Sequence, residues 1–159
     1  MVKWIVAALL AALAGATALA SLPSQPTFYV MRHLDTPEGE RDPDLTDRGQ
    51  ARAEALVRWF KGKKLVAIYV SDYERTRRTA GPLASKRGIV LKLYDPSDTP
   101  ALIAMVKAEP GPVLVVGHSN TVPDIVEQLG GTRPGPLAHP DFGDIWTIAG
   151  GKTAHDKLP

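Results

Sequence analysis

The chain has no cysteine among its 159 residues. Disulfides, zinc–thiolate sites, iron–sulfur clusters and a cysteine nucleophile are therefore excluded. Excess charge of one sign is also lacking. The formal net charge is +2, too weak to point to nucleic acid. Disorder is not indicated either, because 44% hydrophobic and 23% charged residues is ordinary globular usage. There is no internal repeat and no sign of a second domain, and the length suits one domain with a real core.

One long apolar run is present, and it is at the start. Met1-Val2-Lys3 gives a short positive lead, and Trp4 to Ala20 is apolar or small apart from Gly15 and Thr17. Ala18-Leu19-Ala20 is a small-x-small cleavage site followed by Ser21-Leu22-Pro23. The layout predicts a signal peptide over 1–20, cut after Ala20, and a mature domain over 21–159 that is periplasmic or secreted. An uncleaved anchor is the alternative, but the run is at the lower limit for spanning a bilayer. No stable membrane insertion is expected after cleavage. Lipid attachment is excluded because no cysteine follows the run.

From Thr27 onward, apolar strands alternate with helical patterns. Strands are predicted at Thr27–Met31, Leu65–Val70, Ile89–Tyr94, Val113–Val116 and Asp144–Ile148. The third should be near an edge and the fourth central. Helices are predicted from Thr46 or Asp47 to about Lys61, from Glu74 to Lys86, from Pro100 to Lys107 and from Val122 to Leu129. The first would present Ala51, Ala55, Leu56, Trp59 and Phe60 on its apolar face. Asp35 to Asp44 is rich in Pro, Gly and charge and reads as a loop able to roof the end of the first strand. Gly150 to Pro159 reads as a polar tail. The expected fold is α/β in three layers, a mostly parallel sheet with helices on both faces.

Chemistry-bearing residues fall at four strand ends. Arg32-His33 ends the first strand, Ser71 and Arg75 follow the second, Asp95 and Asp98 the third, and His118 the fourth. In a parallel sheet those ends share one edge, where open α/β sheets place ligands. Taken alone, Arg32-His33 could simply close an ordinary strand. Arg75, Arg77 and Arg78 crowd a helix start where the dipole disfavours cations, so something anionic is expected there. Arg77 and Arg78 suit a solvated face. Arginine forks match phosphate oxygens, and histidine can attack phosphorus or move a proton near neutral pH. The arginines would repel a metal, so neither a metal nor a cofactor is expected.

The chain resembles the histidine phosphatase superfamily, which includes cofactor-dependent phosphoglycerate mutase, and most closely its compact phosphohistidine-phosphatase-like branch. Arg32-His33, the Leu45-Thr46-x-x-Gly49 stretch, Ser71-x-x-x-Arg75-Thr76-x-x-Thr79-Ala80 and Gly117-His118-Ser119 carry the likeness in order. The resemblance implies the phosphoglycerate mutase-like fold and a phosphoric monoester hydrolase of the histidine acid phosphatase type. His33 would be the nucleophile, with Arg32, Arg75 and His118 around the phosphoryl group. Thr36 would reach a phosphate oxygen, and Ser119 would stand beside the substrate. Asp98 is the favoured general acid over Asp95, with Glu38 or Asp35 as alternatives; Asp98 could instead cap the following helix. The chain departs from the pattern at Leu34, where relatives carry Gly. The expected partner is a small phosphorylated substrate. A phosphate-ligand binding protein with little or no turnover is the alternative reading.

Overall fold

The computed structural model describes residues 26–159; the expected signal peptide and its cleavage site lie outside them. Six strands form one sheet: β1 (Phe28–Arg32), β2 (Ala67–Ser71), β3 (Leu91–Tyr94), β4 (Val113–Gly117), β5 (Asp144–Ala149) and β6 (Lys152–Lys157). Their order is β3-β2-β4-β1-β5-β6. The first four run parallel, with β4 central and β3 at an edge, while β5 and β6 are antiparallel. The buried strands β1, β2 and β4 are apolar on both faces, as a sheet covered by helices on each side requires.

Helices α1 (Asp47–Trp59) and α2 (Glu74–Arg87) cover one face and α3 (Thr99–Lys107) and α4 (Val122–Gln128) the other. Alternation along each strand separates the two cores. Met31, Val70 and Val116 face the first layer, and Val30, Tyr69 and Val115 the second. Thr46 caps α1 by accepting from the Gly49 N–H at 3.1 Å. Asp98 caps α3 by accepting from the Ala101 N–H at 3.0 Å.

Two expectations are corrected. The apolar face of α1 is shifted: Ala51 is exposed, while Ala53, Ala55 and Leu56 are buried together with Arg52. Arg52 can be buried because it forks onto Asp35 at 2.8 and 3.0 Å and its Nε donates to the Pro159 carbonyl at 3.1 Å. The polar tail is also not a tail. Gly150 and Gly151, with φ of 55° and 73°, form the tight turn of a hairpin, and β6 pairs along all of β5.

The Leu45-Thr46-x-x-Gly49 stretch holds the chain just after His33. The Thr46 N–H donates to the Asp35 carbonyl at 2.9 Å. A Cβ on Gly49 would stand 2.5 Å from that same oxygen, so only glycine permits the approach. With the buried Asp35–Arg52 pair, these contacts fasten the first turn of α1 to the end of β1 and so fix where His33 lies.

Candidate active site

His33 leaves β1 directly beside β4: its N–H donates to the Gly117 carbonyl at 2.9 Å. Arg32 and Gly117 are register partners, so the end of β1 carries His33 next to His118 at the end of β4. The two imidazole centroids are 5.6 Å apart. A pocket of about 410 Å³ opens there, lined by His33, Tyr73, Arg75, His118, Ser119 and Asn120 and rimmed by Pro96 and Ser97. A larger groove of about 620 Å³ runs along α1 and α2, but no imidazole lines it.

The His33 Nδ1 lies 2.9 Å from the Leu34 carbonyl. A carbonyl only accepts, so the proton is on Nδ1 and Nε2 keeps its lone pair. Burial, reinforced by the charges of Arg32, His118 and Arg75 against the opposing Leu34 hydrogen bond, pushes the His33 pKa down to about 3. Burial and then the charges of Arg75 and Arg32 push His118 down to about 4, with Asp42 opposing. Both rings are thus neutral at neutral pH.

These shifts have a stability consequence. In the unfolded chain both imidazoles protonate near pH ~6.5. As pH falls below that value the unfolded state takes up protons that the folded state refuses, so stability drops until the folded pKa values are reached. Allowing for partial solvent screening, the two rings together should cost roughly 2–3 kcal/mol between pH 7 and pH 5. Urea unfolding at the two pH values measures this. The pH-dependent loss should be smaller in His33→Ala by about 1 kcal/mol or more.

Each arginine is held by a different loop. Arg32 is 8% exposed, stacks on Phe142 with its guanidinium carbon 4.1 Å from the ring centre, and donates to the Ala138 carbonyl at 3.1 Å. Its buried Nε has no hydrogen-bond partner. An orphaned cationic donor costs on the order of 1–3 kcal/mol. Burial and the nearby Arg75 charge lower the Arg32 pKa. Arg75 stacks on Tyr73 at 4.2 Å and points one nitrogen at the Arg41 carbonyl and the Asp42 carboxylate, each at 3.3 Å. Its other terminal nitrogen is 3.4 Å from His118 Nδ1. Asp42, in the roof loop, also accepts from the Glu74 N–H at 3.0 Å and so caps α2.

The structure therefore gathers His33, Arg75, His118 and Ser119 around the pocket, while Arg32 is buried next to His33 and outside the lining. It does not bring Asp98 there: that carboxylate is exposed and engaged as the cap of α3. Asp95 accepts from the Ser97 N–H and hydroxyl at 2.8 and 2.7 Å. Asp35 is locked to Arg52, and Glu38 is exposed in the roof loop. Among the described residues lining the pocket there is no carboxylate. Thr36 is buried, with its carbonyl 3.3 Å from His139 Nε2, and it does not line the pocket. Arg77 and Arg78 pair with Asp72 and Glu74 on the surface, as a solvated face should. Leu34 keeps a negative φ, since no described non-glycine residue has a positive one. Its fully buried side chain packs in the first core, while its N–H donates to Thr79 Oγ1 at 2.9 Å. The departure from glycine thus leaves the pocket unobstructed by Leu34.

Tyr73, Asp42 and Phe142 were not foreseen. Tyr73 follows the second strand closely enough to have been considered, whereas Phe142 and Asp42 arrive from loops with no local signal.

Residues 28–96 match the model of the histidine phosphatase superfamily (branch 1). The fold is also that of known structures. The protein histidine phosphatase SixA complexed with tungstate is 20% identical, with a TM-score of 0.63 over 82% of this chain and 94% of that one. A mycobacterial glucosyl-3-phosphoglycerate phosphatase is 14% identical, with a TM-score of 0.64 over 84% of this chain and 98% of that one. Its complex with inorganic phosphate is 15% identical, with a TM-score of 0.62 over 84% and 96%. No curated protein matches the chain.

Proposed function

We propose that the chain is a member of the histidine phosphatase superfamily, whose model matches residues 28–96, and that it hydrolyses a phosphomonoester by passing the phosphoryl group through His33. The observation that carries this reading is the His33 Nδ1 contact with the Leu34 carbonyl, which leaves an unprotonated Nε2 at a pocket lined by Arg75 and His118, with Arg32 buried next to it in the chain. In the first step the His33 Nε2 lone pair forms a bond to phosphorus while the bond to the leaving oxygen breaks. Arg32 and Arg75 hold the equatorial oxygens, where phosphoryl transfer concentrates charge. Water then attacks the phosphohistidine, freeing inorganic phosphate and restoring His33. Complexes of proteins of this fold with tungstate and with phosphate support an oxyanion in such a pocket.

Without a carboxylic acid among the lining residues, the leaving group must depart with little help. Phosphate esters of acidic hydroxyls suit the site better than simple alkyl phosphates. The protein histidine phosphatase among the similar structures supports a readily departing group. Neutral imidazoles down to about pH 4 suit the acid phosphatase type. The N-terminal signal-like run supports action outside the cytoplasm; an amino terminus at Ser21 in a periplasmic or culture fraction is the result expected.

Initial rates on a series of aryl and alkyl phosphates test the proposal. p-Nitrophenyl phosphate should be turned over at least ~100-fold faster than a simple alkyl phosphate, because a missing acid is worth about 10²–10⁴. Asp98→Ala should keep turnover within about threefold while losing about 1 kcal/mol of stability with the α3 cap. Equal rates across the series, or loss of activity in Asp98→Ala, would restore an acid to the mechanism. No turnover of any member would favour the alternative of a phosphate-ligand binding protein.

A further inference from the structure

Ser71 ends β2 and is fully buried against the outer side of His118. Its Oγ is 2.7 Å from His118 Nε2 and 3.2 Å from Thr76 Oγ1. The Thr76 hydroxyl has one proton and two carbonyls in reach, Ser71 at 2.9 Å and Tyr73 at 2.8 Å. Toward Ser71 it is therefore an acceptor. On the pocket side, Arg75 approaches His118 Nδ1 at 3.4 Å, and a guanidinium only donates. Every proton is then placed. His118 is protonated on Nε2 and donates to Ser71, which donates to Thr76, which donates to the backbone.

In that state His118 shows the pocket a lone pair, which repels an oxyanion. An oxyanion lying between Arg75 and His118 requires a proton on Nδ1. Keeping the Nε2 proton as well would create a buried imidazolium beside Arg75 and Arg32, with the His33 and Tyr73 rings alongside; Asp42 and the oxyanion's own charge oppose that cost, but the oxyanion's charge is already shared with the guanidiniums. Gaining a proton at Nδ1 while losing one at Nε2 leaves the charge unchanged. The bare Nε2 then needs a donor, and Ser71 is the group within reach to supply one.

We propose that Ser71 is the positioning residue that selects the His118 tautomer, its hydroxyl turning from acceptor to donor when a tetrahedral oxyanion enters. This rests on the pocket being a phosphoryl site. The cost is the 3.2 Å bond to Thr76, the longest in the chain of hydroxyls. Alanine at 71 could serve neither tautomer.

The test is long-range ¹H–¹⁵N NMR of the imidazoles in the full chain, with and without tungstate. The free protein should show neutral His118 protonated on Nε2, and the tungstate complex neutral His118 protonated on Nδ1. Ser71→Ala should bind tungstate about tenfold more weakly or worse and show no switch. Thr76→Val, which removes the competing acceptor, should still switch and should bind tungstate at least as tightly as the unaltered protein, because Ser71 then loses no bond on turning. An imidazolium in the complex, retention of the Nε2 proton, or a normal switch in Ser71→Ala overturns the role of Ser71 alone. Failure of tungstate to bind the unaltered protein overturns the phosphoryl site along with it.

Discussion

His33→Ala should lower turnover of p-nitrophenyl phosphate by at least about 10⁴-fold while the chain remains folded, since removing a nucleophile from a preorganised site forfeits most of its catalysis. The reason lies in how many contacts prepare this one ring. Its N–H is paired to β4, its Nδ1 to Leu34, and the residues after it are pinned by Asp35, Gly49 and Arg52. None of these contacts is needed to fill a core, because the hydrophobic clusters on either side are complete without the imidazole. The alanine variant should therefore unfold at an unchanged or higher urea concentration at pH 5, having lost a base that folding keeps deprotonated. Tungstate should still bind it within about tenfold, because a cluster of charged donors makes bonds of about 1.5–3 kcal/mol each without the nucleophile. Loss of turnover, retained fold and retained oxyanion binding together separate a nucleophile from a structural histidine.

Arg32→Ala should cost about 10³-fold in kcat/KM, with most of it in kcat, as expected for a donor aimed at charge that develops during transfer. Arg32 is set up for this by its surroundings. Phe142 supports one face, the Ala138 carbonyl takes one N–H, and Nε is left over in a buried position. Arg32→Lys should recover little, because a point charge cannot stack on Phe142 and fill the same fork of donors. The variant should not lose stability in proportion, since removing a buried, incompletely paired cation relieves a desolvation cost. It should also raise the pKa of His33, on which Arg32 acts as a like charge. Steady-state kinetics and imidazole NMR titration check both outcomes.

The sheet was legible wherever burial imposed a pattern. β1, β2 and β4 are apolar on both faces, and the helix caps at Thr46 and Asp98 follow ordinary capping chemistry. β6 was not legible, because Lys152–Lys157 is an exposed edge strand whose side chains carry no apolar alternation. Only Gly150-Gly151 hinted at the hairpin. The site was legible where a polar residue interrupts an apolar strand end, as at Arg32, His33, Ser71 and His118. It was not legible where contacts are non-local. The Ala138 carbonyl and Phe142 reach Arg32 from a distant loop, and Asp42 reaches Arg75 and the start of α2. Nor could spacing decide what the Asp98 carboxylate does; at the start of a helix the backbone N–H groups compete for it, and in the structure they hold it. The consequence of Leu34 in place of glycine was not legible, because a side chain's direction is invisible in sequence; it packs in the core.

The central claim is that a covalent bond forms between phosphorus and His33. Rapid quenching of the protein with a ³²P-labelled aryl phosphate, followed by peptide mapping, tests it most directly. The expected result is an acid-labile, alkali-stable label on the peptide containing His33, absent from His33→Ala. Label on His118 or on a carboxylate, or turnover with no label at any quench time, would contradict it.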